Sequence, residues 1–143
     1  MIYLSGSLKN PRIPEIAEEL RATGFEVFDA WWSAGPEADD HWQAHERLMG
    51  HDFREALAGA HAECVYTFDR TWLSRSDGVV LALPAGRSAH LEFGWMLGTR
   101  KPGWVLLEQE PDRFDIMYRF ADGVCTSVPD LAKAMNGLRT QGG

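Results

Sequence analysis

Residues 78–107 read GVVLALPAGRSAHLEFGWMLGTRKPGWVLL, and this stretch decides the fold. Its first six residues, Gly78 to Leu83, are continuously apolar, the pattern of a strand covered on both faces. A turn at Pro84 to Arg87 follows, then a predicted helix from Ser88 to Thr99 and a second strand from Trp104 to Leu107. Strand, crossover helix and strand in that order imply a parallel pair.

Working outward, Ile2 to Ser5 reads as a short strand running into Gly6. Ile13, Ile16, Ala17 and Leu20 then fall at i, i+3, i+4 and i+7 of a helix that Gly24 is placed to end. Phe25 to Phe28 reads as a second strand, and Ala30 to Asp40 as a loop. Asp39 or Asp40 is expected to cap a long helix reaching about His61, bent near Gly50. Glu63 to Phe68 reads as a third strand, Asp69 to Arg75 as a short helix and Asp130 to Leu138 as a closing helix. The expectation is a single α/β domain over residues 1–143: a doubly wound, flavodoxin- or Rossmann-like five-stranded parallel sheet with helices on both faces. Ligands of such sheets bind outside the carboxyl ends of the strands. The loops of interest are therefore 5–12, 29–40, 67–72 and 84–88.

The totals narrow the function classes. Hydrophobic residues make up 45% and charged residues 24% of the 143, an ordinary globular composition. A net charge of −7 argues against a nucleic-acid polymer as partner, since phosphate backbones favour basic surfaces. The opening MIYLSGSLKN lacks the pattern of a signal peptide, and no apolar run is long enough to span a bilayer. Cys64 and Cys125 have no CxxC spacing, and His41 and His45, at i, i+4, have no evident third ligand. A cytoplasmic protein with no metal, no cofactor and no membrane association is expected.

Glu92 is the most informative residue. It is the only charge between Arg87 and Arg100, in a helix whose other large residues are apolar in every direction. Such a helix is usually buried, and a buried carboxylate needs a partner or a purpose. The competing structural reading is an ion pair with Arg70 or Arg75. Asp69 reads as the residue closing the apolar run CVYTF at a strand's carboxyl end, or as the N-cap of the short helix after it. Gly86, Arg87 and Ser88 offer a cation, a hydroxyl and free amides at a helix N-terminus, suited to an anion. Gly6, Ser7 and Lys9 come after the first strand in the same way, without the spacing of a phosphate-binding P-loop. Tyr3 is a strand tyrosine, a type more often core than catalytic. Trp31 and Trp32 stand where rings either stack on a base or plug an interface. Six tryptophans in so small a chain favour a homo-oligomer with those two at or near the contact.

Together these residues resemble the nucleoside 2-deoxyribosyltransferase family and its 2′-deoxynucleoside 5′-monophosphate N-hydrolase relatives, over about residues 1–110. IYLSGS is similar to the family's first strand and loop, and FDRTWLSRSDGVVLALPAGRSAHLEFGWMLG to its core. The resemblance implies that Glu92 is the nucleophile, that Asp69 contacts the base and that Tyr3 positions the glutamate. It also implies a nucleoside or nucleotide substrate with a nucleobase partner, and a pocket completed by a neighbouring subunit. Two departures stand out. The loop before the glutamate helix is shorter and carries Arg87 and Ser88, as in the relatives that accept a 5′-phosphate. In the tail, Asn136 is a poor match for the transferases' C-terminal asparagine.

The chemistry implied is double displacement through a glutamyl-sugar ester, with transfer of deoxyribose to another base. Hydrolysis of 5′-monophosphates is the alternative within the family. A non-catalytic nucleotide-binding module and a flavodoxin-like redox protein are the rivals outside it.

Overall fold

The computed structural model describes residues 1–139. Five strands, β1 (Ile2–Ser5), β2 (Val27–Phe28), β3 (Gly78–Ala82), β4 (Gly103–Leu106) and β5 (Gly123–Cys125), form one all-parallel sheet in the order β2-β1-β3-β4-β5. This is the doubly wound architecture expected. The chain moves outward from β1 to β2, then returns and continues on the other side through β3, β4 and β5. The order therefore reverses between β1 and β3, whose carboxyl ends flank the crevice where such sheets bind ligands.

One face of the sheet is covered by α1 (Ile13–Ala22) and α6 (Val128–Ala134), which bury Ile13, Ile16, Leu20 and Leu131 against Ile2, Leu4, Val80 and Leu106. The other face carries Tyr3, Val79, Leu81 and Val105, and α5 (Arg87–Gly98) packs on it through Ala89, Phe93 and Met96. Strand alternation thus divides β1 between two cores, with Ile2 and Leu4 on one and Tyr3 on the other. Gly6 allows the chain to leave β1 tightly. A Cβ there would lie 2.6 Å from Ile13 Cδ1 and 3.3 Å from the Ala82 carbonyl oxygen.

Several expectations change. The run Glu63 to Phe68 is not a strand, and Asp69 to Arg75 is not a separate helix. Both lie in α4 (Ala60–Arg75), a single helix of 16 residues. The valine, tyrosine and phenylalanine of CVYTF favour strands, but Val65, Asp69, Trp72 and Leu73 recur at helical spacing, and Leu73 joins the core beside Tyr3 and Phe28. The expected long helix is two, α2 (Ala38–Leu48) and α3 (Phe53–Leu57). The chain breaks at Gly50, whose φ of 80° suits glycine, and restarts at a capping box made by Asp52 and Glu55. Asp39 and Asp40 lie in the first turn of α2 rather than capping it, the cap position being Glu37. The fifth strand is β5, three residues with no apolar run to announce them. Among the described residues no helix is long and apolar enough to cross a membrane.

Candidate functional site

The helices α4 and α5 place two carboxyl groups over Tyr3. Glu92 lies on α5 one turn after Ala89, on the side turned toward the sheet, and its Oε2 is enclosed with no hydrogen-bond partner. Burial pushes its carboxyl up to about 7, and the charge of Asp69 adds to the rise. The Tyr3 hydroxyl, within hydrogen-bonding reach, works in the opposite direction by favouring the ionised form. Burial likewise pushes half-buried Asp69 up to about 6. Tyr3 itself is 1% exposed, and its phenol is held far above its ordinary range by burial first and then by the charges of Glu92 and Asp69. The three groups that the sequence marks as catalytic therefore form one electrostatic unit.

Asp69 reaches this unit from the middle of α4, not from a strand end. Neither its expected placement nor its N-cap reading holds, because it lies nine residues inside the helix. Glu92 is not neutralised by an arginine: among the described residues no ion pair involves it. Arg70 lies over the rings of Tyr66 and Trp95, and Arg75 over Trp72. The expectation that α5 is buried on every side is corrected as well, since Leu91 is 75% exposed and Trp95 38%.

Around this unit the remaining residues take different positions. Gly86 is the N-cap residue of α5, and its carbonyl oxygen is bonded to His90 Nδ1 at 2.7 Å. Arg87 and Ser88 come next, in the first turn, and are exposed. Ser7 Oγ accepts from the Lys9 backbone N–H at 3.1 Å, tightening the loop after β1, and the Lys9 side chain is exposed. These two loops stand at the carboxyl ends of neighbouring strands, β1 and β3, and so share one edge of the crevice. Trp31 donates its indole N–H to the Leu4 carbonyl at 2.7 Å, and Trp32 donates to the Asn10 carbonyl at 3.0 Å. Both rings are partly buried against the core, so they tie the loop after β2 to the end of β1 rather than standing free.

Sequence reasoning missed the support behind Tyr3. Phe28 lies 5.3 Å from the Tyr3 ring and stacks on Trp72 at 4.6 Å, with Phe68 5.9 Å from Phe28 and 6.4 Å from Trp72. These rings pack beside the tyrosine, which is buried. A strand reading of residues 63–68 hides it, because it puts Phe68 and Trp72 in separate elements, whereas one continuous helix sets them one turn apart. Ser5 was also missed. Buried two residues after Tyr3, it donates to the Ala89 carbonyl at 3.4 Å, and β-alternation alone puts it on Tyr3's face. His90 bridges Gly86 and the Tyr118 hydroxyl, at 3.0 Å, tying the segment after β4 to the start of α5.

Chemically, the arrangement offers two carboxyls that both hold protons near neutrality, one of them, Glu92, with an unsatisfied oxygen. It also has a phenol biasing the first toward ionisation and free amides at a helix N-terminus alongside. No group of three or more metal-ligating side chains occurs among the described residues. Compared with known proteins, the sequence matches no family model and no curated protein.

Proposed function

We propose that the protein cleaves the N-glycosidic bond of a 2′-deoxynucleoside or its 5′-monophosphate through a covalent glutamyl-sugar intermediate, and passes the deoxyribosyl group to a second nucleobase. The observation that carries this reading is the pair of inequivalent carboxyls over Tyr3, Glu92 with a buried, unpartnered oxygen and Asp69 beside it. Two neighbouring carboxyls, both raised, can share one proton, and the form with Glu92 ionised as nucleophile and Asp69 protonated as acid is the less populated of the two.

In the first step a Glu92 oxygen attacks the anomeric carbon. The C1′–N bond breaks, its electron pair goes to the base nitrogen, and the base takes up the proton held by Asp69. In the second step a nitrogen of the acceptor base attacks C1′, the Glu92 ester oxygen leaves as carboxylate, and Asp69 takes the acceptor's proton. Tyr3 stabilises the ionised form of Glu92 at the start and end of the cycle. Neither step calls for a metal or an organic cofactor. The chemistry is that of small-molecule nucleoside metabolism in the cytoplasm, with no nucleic-acid polymer or membrane as partner.

The second reading, hydrolysis of 5′-monophosphates with water as acceptor, is favoured by one observation. Gly86, Arg87 and Ser88 set a cation, a hydroxyl and unpaired amides at the N-terminus of a 12-residue helix, which suits a phosphate. The deciding experiment is a panel of deoxynucleosides and their 5′-monophosphates, each incubated with and without a second base. Exchange of bases without net release of free sugar supports transfer. Free base accumulating from monophosphates alone supports hydrolysis. No bond cleavage anywhere in the panel overturns both.

A further inference from the structure

Between β2 and α4 the chain forms an arm, α2 and α3, that apolar burial holds only weakly. Of the described residues of α2 only Glu46 is buried, and of α3 only Ala56. Leu48, Met49, Phe53 and Leu57, its large apolar side chains, all face water. Few buried apolar contacts mark a segment of low local stability. A polar contact of modest size is then enough to decide how firmly the arm is held.

Glu46 makes that contact. Its Oε2 lies 2.5 Å from Nδ1 of His51, in the link between α2 and α3, and the His51 backbone N–H donates to the Glu46 carbonyl at 2.9 Å. Its Oε1 reaches Gly59, the N-cap residue of α4, where a Cβ would lie 3.7 Å away. One turn earlier on α2, Trp42 stacks on His61 of α4 with ring centroids 6.4 Å apart, and its indole favours the Glu46 charge. One carboxylate thus joins α2, the link and the start of α4. On α2 His45 also faces the pair, from the link and α3 Asp52 and Glu55 do, and α4 brings His61 behind Trp42. Four of the five histidines, His41, His45, His51 and His61, fall in this stretch. His41 meets only exposed Glu37, at 3.5 Å, whereas the carboxylate that His51 meets is buried.

We infer that the Glu46–His51 pair is a pH-sensitive latch, closing the arm on the start of α4 in weakly acid conditions and loosening it above neutrality. An ionised carboxylate only accepts, so Nδ1 of His51 keeps its proton whether the ring is charged or neutral. Losing the charge removes the proton from Nε2; the bond survives without its charge assistance. The bond to Glu46 raises His51 above its ordinary 6.5, and the same bond holds Glu46 below its ordinary 4.5. A raised imidazole stabilises the folded arm fully below 6.5 and loses that contribution as pH rises through its folded value. A lowered carboxyl contributes fully above 4.5 and loses that as pH falls. The latch is therefore firmest between about pH 4.5 and 6.5. The helix it closes on carries Asp69, but nothing in this inference depends on the proposed chemistry.

Amide hydrogen exchange of residues 42–58, read by mass spectrometry from pH 5.5 to 8.5 and divided by the unstructured-chain rate at each pH, is the test. Opening of the arm is expected to become about two- to fivefold more frequent across that range, on the scale of a partly exposed ion pair. His51→Gln keeps a donor that does not titrate, and its arm is expected to show no pH dependence while Gly78–Ala82 exchanges as in the wild type. Glu46→Gln carries the same expectation for the arm and decides the matter should His51→Gln fail to fold by circular dichroism. His45→Gln and His61→Gln are expected to keep the dependence. A wild-type arm whose protection is constant or grows with pH would overturn the inference. So would a dependence that survives in a folded His51→Gln or Glu46→Gln, or one that His45→Gln or His61→Gln abolishes.

Discussion

Removing the Tyr3 hydroxyl separates its proposed electrostatic role from a merely structural one. Catalysis needs Glu92 ionised and Asp69 protonated, yet Glu92 sits at about 7 and Asp69 at about 6. In the singly protonated pair the proton therefore rests on Glu92 more often than on Asp69. The productive form is the minor one, and kcat/KM is expected to peak between pH 6 and 7. In Tyr3→Phe, Glu92 loses a hydrogen bond to its charged form, worth about 1.5–3 kcal/mol. Its proton affinity then rises about ten- to a hundredfold. The productive share falls by nearly the same factor at the pH optimum. Toward pH 10 both carboxyls are largely ionised in either protein, and the productive share there depends mainly on Asp69. Tyr3→Phe is thus expected to lose about ten- to a hundredfold in kcat/KM near pH 6.5 and to converge on the wild type at high pH, its basic limb displaced upward. The assay is base release across pH 5–10. A loss of constant size at every pH would refute the electrostatic role and leave Tyr3 as packing.

Glu92→Gln is expected to lose at least ~10³-fold in base release, on the scale of removing a nucleophile, and near-wild-type turnover would end the assignment. The same variant reports stability. Glu92 is raised on folding from 4.5 to about 7, so the wild type is relatively stable below pH 4.5 and loses stability as pH rises toward 7. Glu92→Gln is therefore expected to match the wild type near pH 4 and exceed it at pH 8 by at most about 3 kcal/mol, read as a pH-dependent difference in Tm; a difference independent of pH would contradict the buried-charge account. Asp69→Asn is expected to slow release of ordinary bases more than that of a base leaving without protonation, and equal slowing would remove the proton-donor role. Arg87→Ala is expected to raise KM for 5′-monophosphates more than for nucleosides, whereas equal effects would mean that Arg87 does not read the phosphate.

The fold is legible where burial on both faces leaves a continuous apolar run. GVVLAL at 78–83 and its crossover to Trp104 mark the parallel core, and Ile13, Ile16, Ala17 and Leu20 mark α1 as observed. It is illegible where the local signal conflicts with the neighbours. CVYTF carries strand-like side chains, yet its α4 setting wins because Trp72 and Leu73, a turn or two later on the same helix, bury against Phe28 and Tyr3. β5 fails in the opposite way. Its three residues pair with Trp104, Val105 and Leu106 through backbone bonds, which leave no mark on side-chain periodicity.

The candidate site is more legible than the elements carrying it. Asp69 stands out in the sequence as the end of a strand that does not exist, and still it lies beside Glu92. The reason is geometric. The helix α4 leads directly into β3 and packs on the sheet face that carries Tyr3, which brings its Asp69 within electrostatic reach of Tyr3 and Glu92. Glu92 stands out by charge contrast, a signal that survives errors in the surroundings. A lone carboxyl on a helix that packs against Val79, Leu81 and Val105 has only the interior to face if its neighbours one and three residues on, Phe93 and Trp95, take the core and the outer side. What charge contrast cannot supply is the outer side itself. Leu91 and Trp95 read in the sequence as more core, because an apolar residue that stays at the surface and one that is buried are the same letters. Only the folded chain tells them apart, by leaving some of them still facing water.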